Sequence, residues 1–195
     1  MTYHGFGKIP RLSREVIITE KLDGTNGQVF IVPISQSDPA QAAMTTAIVG
    51  DYFILAGSRN RWLQTAKGCD NHGFAAWVKE NAPLLVDLGE GAHFGEWWGG
   101  NIARKYGVGK RFSLFNTERW GETRPECCDV VPVLNRGILS DALVEEALDV
   151  LRKGGSQAAP GFMDPEGIVI YHTAAKQLFK KLLVGDELPK GNTDG

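Results

Sequence analysis

Apolar and polar positions along the chain predict many short strands and two helices. Residues 15–20 are a short β-rich run and residues 28–34 another. Between them, Asp23-Gly24-Thr25-Asn26-Gly27 is a dense turn signal, which predicts two strands around a tight connection. Residues 35–43 read as a polar loop. Residues 47–49 and 52–56 flank Gly50-Asp51, a hairpin turn. Asn71 is placed to cap a helix running to Glu80, with Phe74, Ala75, Trp77 and Val78 on its apolar side. Residues 93–98, 112–115 and 130–134 are strand-like. The clearest helix covers residues 140–153, where Ser140 takes the N-cap. Leu143, Ala147, Leu148 and Leu151 form its stripe, and Gly154 follows the last turn. Residues 167–171 and 178–184 complete the β content.

Short strands without regular βαβ alternation predict an α+β fold built on mainly antiparallel sheets. No repeat, linker or low-complexity segment divides the chain. One domain is therefore expected over residues 1–184, followed by a polar, Gly-bearing and flexible tail over residues 185–195. A hydrophobic fraction of 43% and a charged fraction of 23% are those of a soluble globular protein. No apolar run approaches the roughly 20 residues that span a bilayer, and the first residues lack the apolar core of a secretory signal. No membrane association is expected, and a cytoplasmic location is the default. Cys69, Cys127 and Cys128 make no disulfide framework. Cys69-Asp70-Asn71-His72 and Cys127-Cys128 match no standard zinc spacing, so free thiols are expected. The net charge of −2 is not that of a globally basic nucleic-acid binder, and positive charge is local: Arg59 and Arg61, then Arg104, Lys105, Lys110 and Arg111, then Lys176, Lys180 and Lys181.

Four stretches carry candidate chemistry. In Lys21-Leu22-Asp23-Gly24, a lysine at a strand end is followed by a Gly turn that projects its amine outward; alone, this reads first as an exposed lysine beside a β-turn. In Phe94-Gly95-Glu96-Trp97-Trp98-Gly99, an acidic residue sits inside an aromatic strand. Carboxylates are seldom buried without partners; either a sugar hydroxyl or a lysine meets Glu96, or it faces solvent while the tryptophans pack. Glu166-Gly167-Ile168-Val169-Ile170-Tyr171 places a carboxylate at the mouth of an apolar strand. In Phe179-Lys180-Lys181-Leu182-Leu183, period-two alternation puts Phe179, Lys181 and Leu183 on one face and Lys180, Leu182 and Val184 on the other.

The order of these stretches, with Gly57-Ser58-Arg59-Asn60 between the first and second, resembles the covalent nucleotidyltransferase superfamily of ATP-dependent DNA ligases, RNA ligases and capping enzymes. The resemblance spans about residues 20–183. Lys21-Leu22-Asp23-Gly24-Thr25-Asn26 is most similar to ATP-dependent RNA ligases of the phage nick-sealing type, and Phe94–Gly99 is similar to their third motif; DNA ligases and capping enzymes usually carry an arginine where this chain has Asn26. The resemblance implies an antiparallel-sheet nucleotidyltransferase (adenylyltransferase) domain of the ligase type, with no appended OB domain. It implies that Lys21 forms a lysyl-AMP phosphoramide and that Arg59 contacts the nucleotide ribose or phosphate. Glu96 would bind a ribose hydroxyl or steer the lysine, Glu166 would help hold a divalent metal, and Lys180 would bind the α-phosphate. Phe115, the second aromatic of Phe112-Ser113-Leu114-Phe115, would stack on adenine, and Glu20 counts among the nucleotide-binding residues. Relatives often carry Lys-x-Lys in the last motif, where this chain has Lys180-Lys181-Leu182.

The implied cofactors are ATP and Mg²⁺ (or Mn²⁺). The implied reaction passes AMP from Lys21 to a nucleic-acid 5′-phosphate and then joins that end to a 3′-hydroxyl, RNA being the favoured substrate and RNA repair the usual setting. A lysine with an ordinary pKa near ~10.4 is protonated at neutral pH and cannot attack, so neighbouring cations would have to favour its neutral form. The chain ends soon after the last motif, so a helper protein or further domain is expected to supply nucleic-acid grip. Two other readings stand beside this one: a DNA ligase-like enzyme, and a nucleotide-binding module with an incomplete catalytic cycle.

Overall fold

The computed structural model describes residues 3–121 and 123–187. The flexible tail expected over residues 185–195 lies, from residue 188 onward, outside the described residues. In chain order the first strands are β1 (Glu15–Lys21), β2 (Thr25–Pro33), β3 (Ala47–Val49), β4 (Tyr52–Gly57), β5 (Trp62–Leu63) and β6 (Gly91–Trp98). They are followed by β7 (Arg111–Leu114), β8 (Asp129–Val130), β9 (Val133–Ile138), β10 (Gly167–His172) and β11 (Gln177–Leu182). The helices are α1 (Pro39–Ala43), α2 (Phe74–Leu85) and α3 (Asp141–Gly154). None is long and apolar enough to cross a membrane among the described residues.

The chain groups into two compact units, Met1–Lys21 with Pro132–Gly195, and Leu22–Val131. Within the span of residues 1–184 expected as one domain, the crossings fall at Lys21-Leu22 and Val131-Pro132. Neither is a Gly- or Ser-rich linker, so composition carries no mark of the division.

In the first unit a four-stranded antiparallel sheet has the order β11-β10-β1-β9. One face is apolar because alternate residues point the same way: Val16 and Ile18 of β1 and Ile168 and Ile170 of β10 bury against Val144, Ala147, Leu148 and Leu151 of α3. The helix starts where Ser140 Oγ accepts the Leu143 N–H at 3.2 Å, as its sequence predicts. It stops at Gly155, whose φ of +72° suits glycine.

In the second unit the sheet order is β3-β4-β2-β6-β7-β8, with β5 also beside β4. Every pairing is antiparallel except β7 with β8. Its core joins Val29, Ile31 and Ile54 to Trp97, Phe112 and Leu114, under Phe74, Ala75, Val78, Ala82 and Leu85 of α2.

Local chemistry shifts three predicted boundaries. Within the expected 35–43 loop, Asp38 and Gln41 form a capping box that starts α1. Asn71 does not cap α2. Its Nδ2 donates to Thr25 Oγ1 at 2.7 Å, while Asp70 accepts the Ala75 and Ala76 amides, so the helix begins at Phe74 and runs to Leu85. The strand expected over residues 130–134 is two strands, β8 and β9, separated by Val131 and Pro132; proline has no N–H to give a ladder.

Leu148 is fully buried in the first unit's core. Leu148→Ala should cost roughly 2–5 kcal/mol and Ser140→Ala about 1 kcal/mol, read from urea unfolding midpoints; equal midpoint shifts would contradict this ranking.

Candidate active site

Lys21 closes β1. Its register partner is Gly167, the first residue of β10, so the residue before β10, Glu166, lies beside the lysine. Nζ of Lys21 donates to Glu166 Oε2 at 2.6 Å, and both side chains are partly exposed. Gly167 is required here. Its φ is +152°, and a Cβ would run into the Lys181 carbonyl and lie 2.8 Å from the Leu182 Cα on β11.

The register also sorts the two lysines of β11. Lys21, Gly167 and Leu182 form one row across three strands, and Thr19, Val169 and Lys180 form the next on the same face. Lys180 is exposed on that face. Lys181 pairs with Ile168, which pairs with Glu20, and so faces α3, where its Nζ donates to Glu145 Oε1 at 3.2 Å. The alternation expected for β11 is the one observed. Where relatives have the second lysine of Lys-x-Lys, Leu182 occupies the row of Lys21.

Glu20 points the opposite way from Lys21. Its side chain is 1% exposed, and Oε2 accepts the backbone N–H groups of Gln157 at 2.7 Å and Ala158 at 3.1 Å. Burial pushes this carboxyl's pKa above its ordinary 4.5; the Ser156 hydroxyl and the Ala158 and Gln157 amides oppose that shift.

A second cluster lies wholly in the other unit. Asn26 of β2 and Glu96 of β6 are register partners. Glu96 Oε1 accepts the Gly24 N–H at 3.0 Å and Oε2 accepts Asn26 Nδ2 at 3.0 Å. Asn26 Oδ1 in turn accepts Arg59 Nε at 2.7 Å, from the turn after β4. Glu96 is therefore a buried, bonded carboxylate and not an edge residue facing solvent, while Trp97 and Trp98 are packed. Trp98 also donates to Ser113 Oγ at 2.8 Å. Gly24 is forced by close approach, because a Cβ there would meet the Trp97 carbonyl and lie 2.7 Å from the Trp98 Cβ.

Phe115 follows β7 rather than ending it, held by its N–H to the Phe94 carbonyl at 3.0 Å. It is 40% exposed, whereas Phe112 is 0% exposed with its ring centroid 5.1 Å from that of Phe74. Two residues escaped the sequence reading. Asn26, which stood out only as a missing arginine, links Arg59 to Glu96. Tyr106 accepts the Asp23 N–H on its hydroxyl at 2.9 Å, and no motif marks it. The three cysteines are free thiols. Among the described residues, no three His, Cys, Asp or Glu side chains group to hold a metal; a cation at Glu166 would take its other ligands from phosphate oxygens and water, as Mg²⁺ commonly does.

Mixed sheet-and-helix architecture of this kind is that of RNA ligases. Naegleria gruberi RNA ligase with PPi is similar to this chain with a TM-score of 0.56 and 20% identity, over 87% of this chain and 50% of that one. A variant of that ligase with ATP and Mn gives 0.53 and 17%, over 88% and 50%. Another variant, with AMP and Mn, gives 0.54 and 18%, over 88% and 50%. This chain thus spans about half the length of those ligase chains. No curated protein matches it. Residues 14–182 match the RNA ligase family model, and the chain belongs to the RNA ligase family.

Phe112 and Phe115 separate packing from exposure. Phe112→Ala should lose roughly 3–5 kcal/mol of stability, and Phe115→Ala should stay within about 0.5 kcal/mol of the parent. Thermal unfolding with no nucleotide present checks this; comparable losses would mean that Phe115 is a packing residue.

Proposed function

We propose that this chain is the nucleotidyltransferase domain of an ATP-dependent RNA ligase, and that Lys21 is its nucleophile. The observation that carries the reading is the Lys21–Glu166 pair at 2.6 Å, a lysine amine held at a strand end by a carboxylate on the next strand's threshold. Family membership and the ATP, AMP, PPi and Mn in the similar ligase structures support it.

In the first step the Lys21 amine, its proton given up to water, attacks the α-phosphorus of ATP. The N–P bond forms, the bond to the bridging oxygen breaks, and pyrophosphate leaves. Lys180 shares the face of Lys21 and supplies positive charge to the α-phosphate. Glu96 and Arg59, joined through Asn26, are polar groups already oriented by one another, as a site for a ribose or phosphate requires. Phe115 offers a flat exposed ring for adenine. Glu166 is the acidic residue for Mg²⁺ or Mn²⁺, whose positive charge would stabilise the developing phosphate charge. AMP then passes to a nucleic-acid 5′-phosphate, and a 3′-hydroxyl displaces it; RNA is the favoured acceptor, in keeping with the family.

Intact mass after incubation with ATP and Mg²⁺ should rise by roughly 329 Da, one AMP on lysine, in the parent and not in Lys21→Ala. An unchanged parent mass with ATP bound would replace the enzyme by a nucleotide-binding module. Lys180→Ala should slow adduct formation by about 10²-fold or more. Lys181→Ala should stay within about 3-fold, since Lys181 faces α3; the reverse order in single-turnover rates would reassign the phosphate contact.

A further inference from the structure

Glu20 precedes the proposed nucleophile, yet its side chain turns to the other face of the sheet and is closed off from solvent. Burying a carboxylate is costly unless it completes bonds that nothing else supplies, so its partners show what it is for. The loop after α3 has four successive backbone N–H groups to satisfy. Ser156 N–H donates to the Phe162 carbonyl at 2.8 Å, and Ala159 N–H donates to Ser156 Oγ at 3.0 Å. The two between them, Gln157 and Ala158, both donate to Glu20 Oε2. One carboxylate oxygen therefore completes the hydrogen bonding of the loop. Oε1 is buried and completes no hydrogen bond among the described residues.

The end of β1 is held more on one side than on the other. It stays in register with β10 through Lys21, but its register with β9 shifts between Ile18 and Thr19, after which the Glu20 N–H donates to the Pro132 carbonyl at 2.9 Å. Lys21 is the last residue of the strand. Strand ends open locally at low cost, and an error of about 1 Å in the position of a reacting group can cost about 10²-fold in rate.

We propose that Glu20 is a positioning residue: its buried carboxylate clamps the loop around residues 156–159 to the end of β1 and so holds the Lys21 backbone in place for attack. It contacts no nucleotide. The proposal rests on Lys21 being the nucleophile. Because Oε2 alone accepts the two backbone N–H groups, glutamine can replace the carboxylate there: its carbonyl oxygen takes both, and no buried charge is needed. Aspartate, one methylene shorter, loses the reach, and alanine loses the acceptor.

The test measures lysyl-AMP formation against ATP concentration for the parent, Glu20→Gln, Glu20→Asp and Glu20→Ala. Glu20→Ala should lower the rate at saturating ATP by about 10-fold or more, with the half-saturating ATP concentration within about 3-fold of the parent. Glu20→Gln should restore the rate to within about 3-fold. A glutamine variant as slow as alanine, or a loss confined to half-saturation, would overturn the proposal in favour of a charge that meets the nucleotide. Should Glu20→Ala fail to fold, Glu20→Asp must show the same split, and its absence has the same force. Amide hydrogen exchange gives a second reading that needs no adduct. Gln157 and Ala158 should exchange about 10-fold faster or more in the alanine or aspartate variant, with α3 unchanged and glutamine like the parent; equal exchange in all four proteins sinks the clamp. A parent that forms no lysyl-AMP would count against the proposed function, and the exchange comparison would still decide the clamp.

Discussion

Lys21 and Glu166 are 145 residues apart in the chain and 2.6 Å apart in space because β1 and β10 lie antiparallel in one register. That register is held by the apolar face of the sheet. Val16, Ile18, Ile168 and Ile170 must meet α3 together, and a one-residue slip of β1 would turn Val16 and Ile18 outward and bring Lys21 inward. Gly167 enforces the same alignment from β11, whose backbone comes so close that only glycine fits. Packing energy on one side of the sheet thus sets the geometry of charged groups on the other.

Parity assigns the remaining charged residues of that sheet. Glu20 and Lys21 are neighbours in sequence and opposites in space, one closed into a loop beside α3 and the other open to the far face. Lys180 and Lys181 divide in the same manner, Lys181 satisfying Glu145 on the helix and Lys180 remaining exposed. Two charged residues in tandem on a half-buried strand leave one of them on the core side, and that one needs a partner there.

The second unit meets the same constraint with neutral groups. Glu96 is buried in an aromatic strand, and its two oxygens are met by a backbone N–H and by an asparagine amide. Asn26 has an acceptor left to give, and Arg59 uses it. An arginine at position 26 has no acceptor to offer, so this particular link between Glu96 and Arg59 depends on asparagine.

Much of this was legible from the chain alone. Period-two runs and their turn residues marked most of the strands, though not β5 and not the greater part of β9; Ser140 marked the start of α3; and the alternation around Lys180-Lys181 separated the two lysines. The order of the stretches that carry Lys21, Arg59, Glu96, Glu166 and Lys180 pointed to the family. These features are local, or depend only on order along the chain. The sequence did not show that Glu166 is the partner of Lys21, that Glu20 is sealed into a loop 137 residues away, or that Asn26 bridges Arg59 and Glu96. The resemblance singled out Phe115 for adenine, but the sequence did not show that Phe112 is core while Phe115 is open. Nor did it show that the chain leaves one compact unit at Leu22 and re-enters it at Pro132. Each of these turns on which strands pair and in what register, and pairing is set by the burial of apolar faces contributed by segments far apart in sequence, which no local pattern contains.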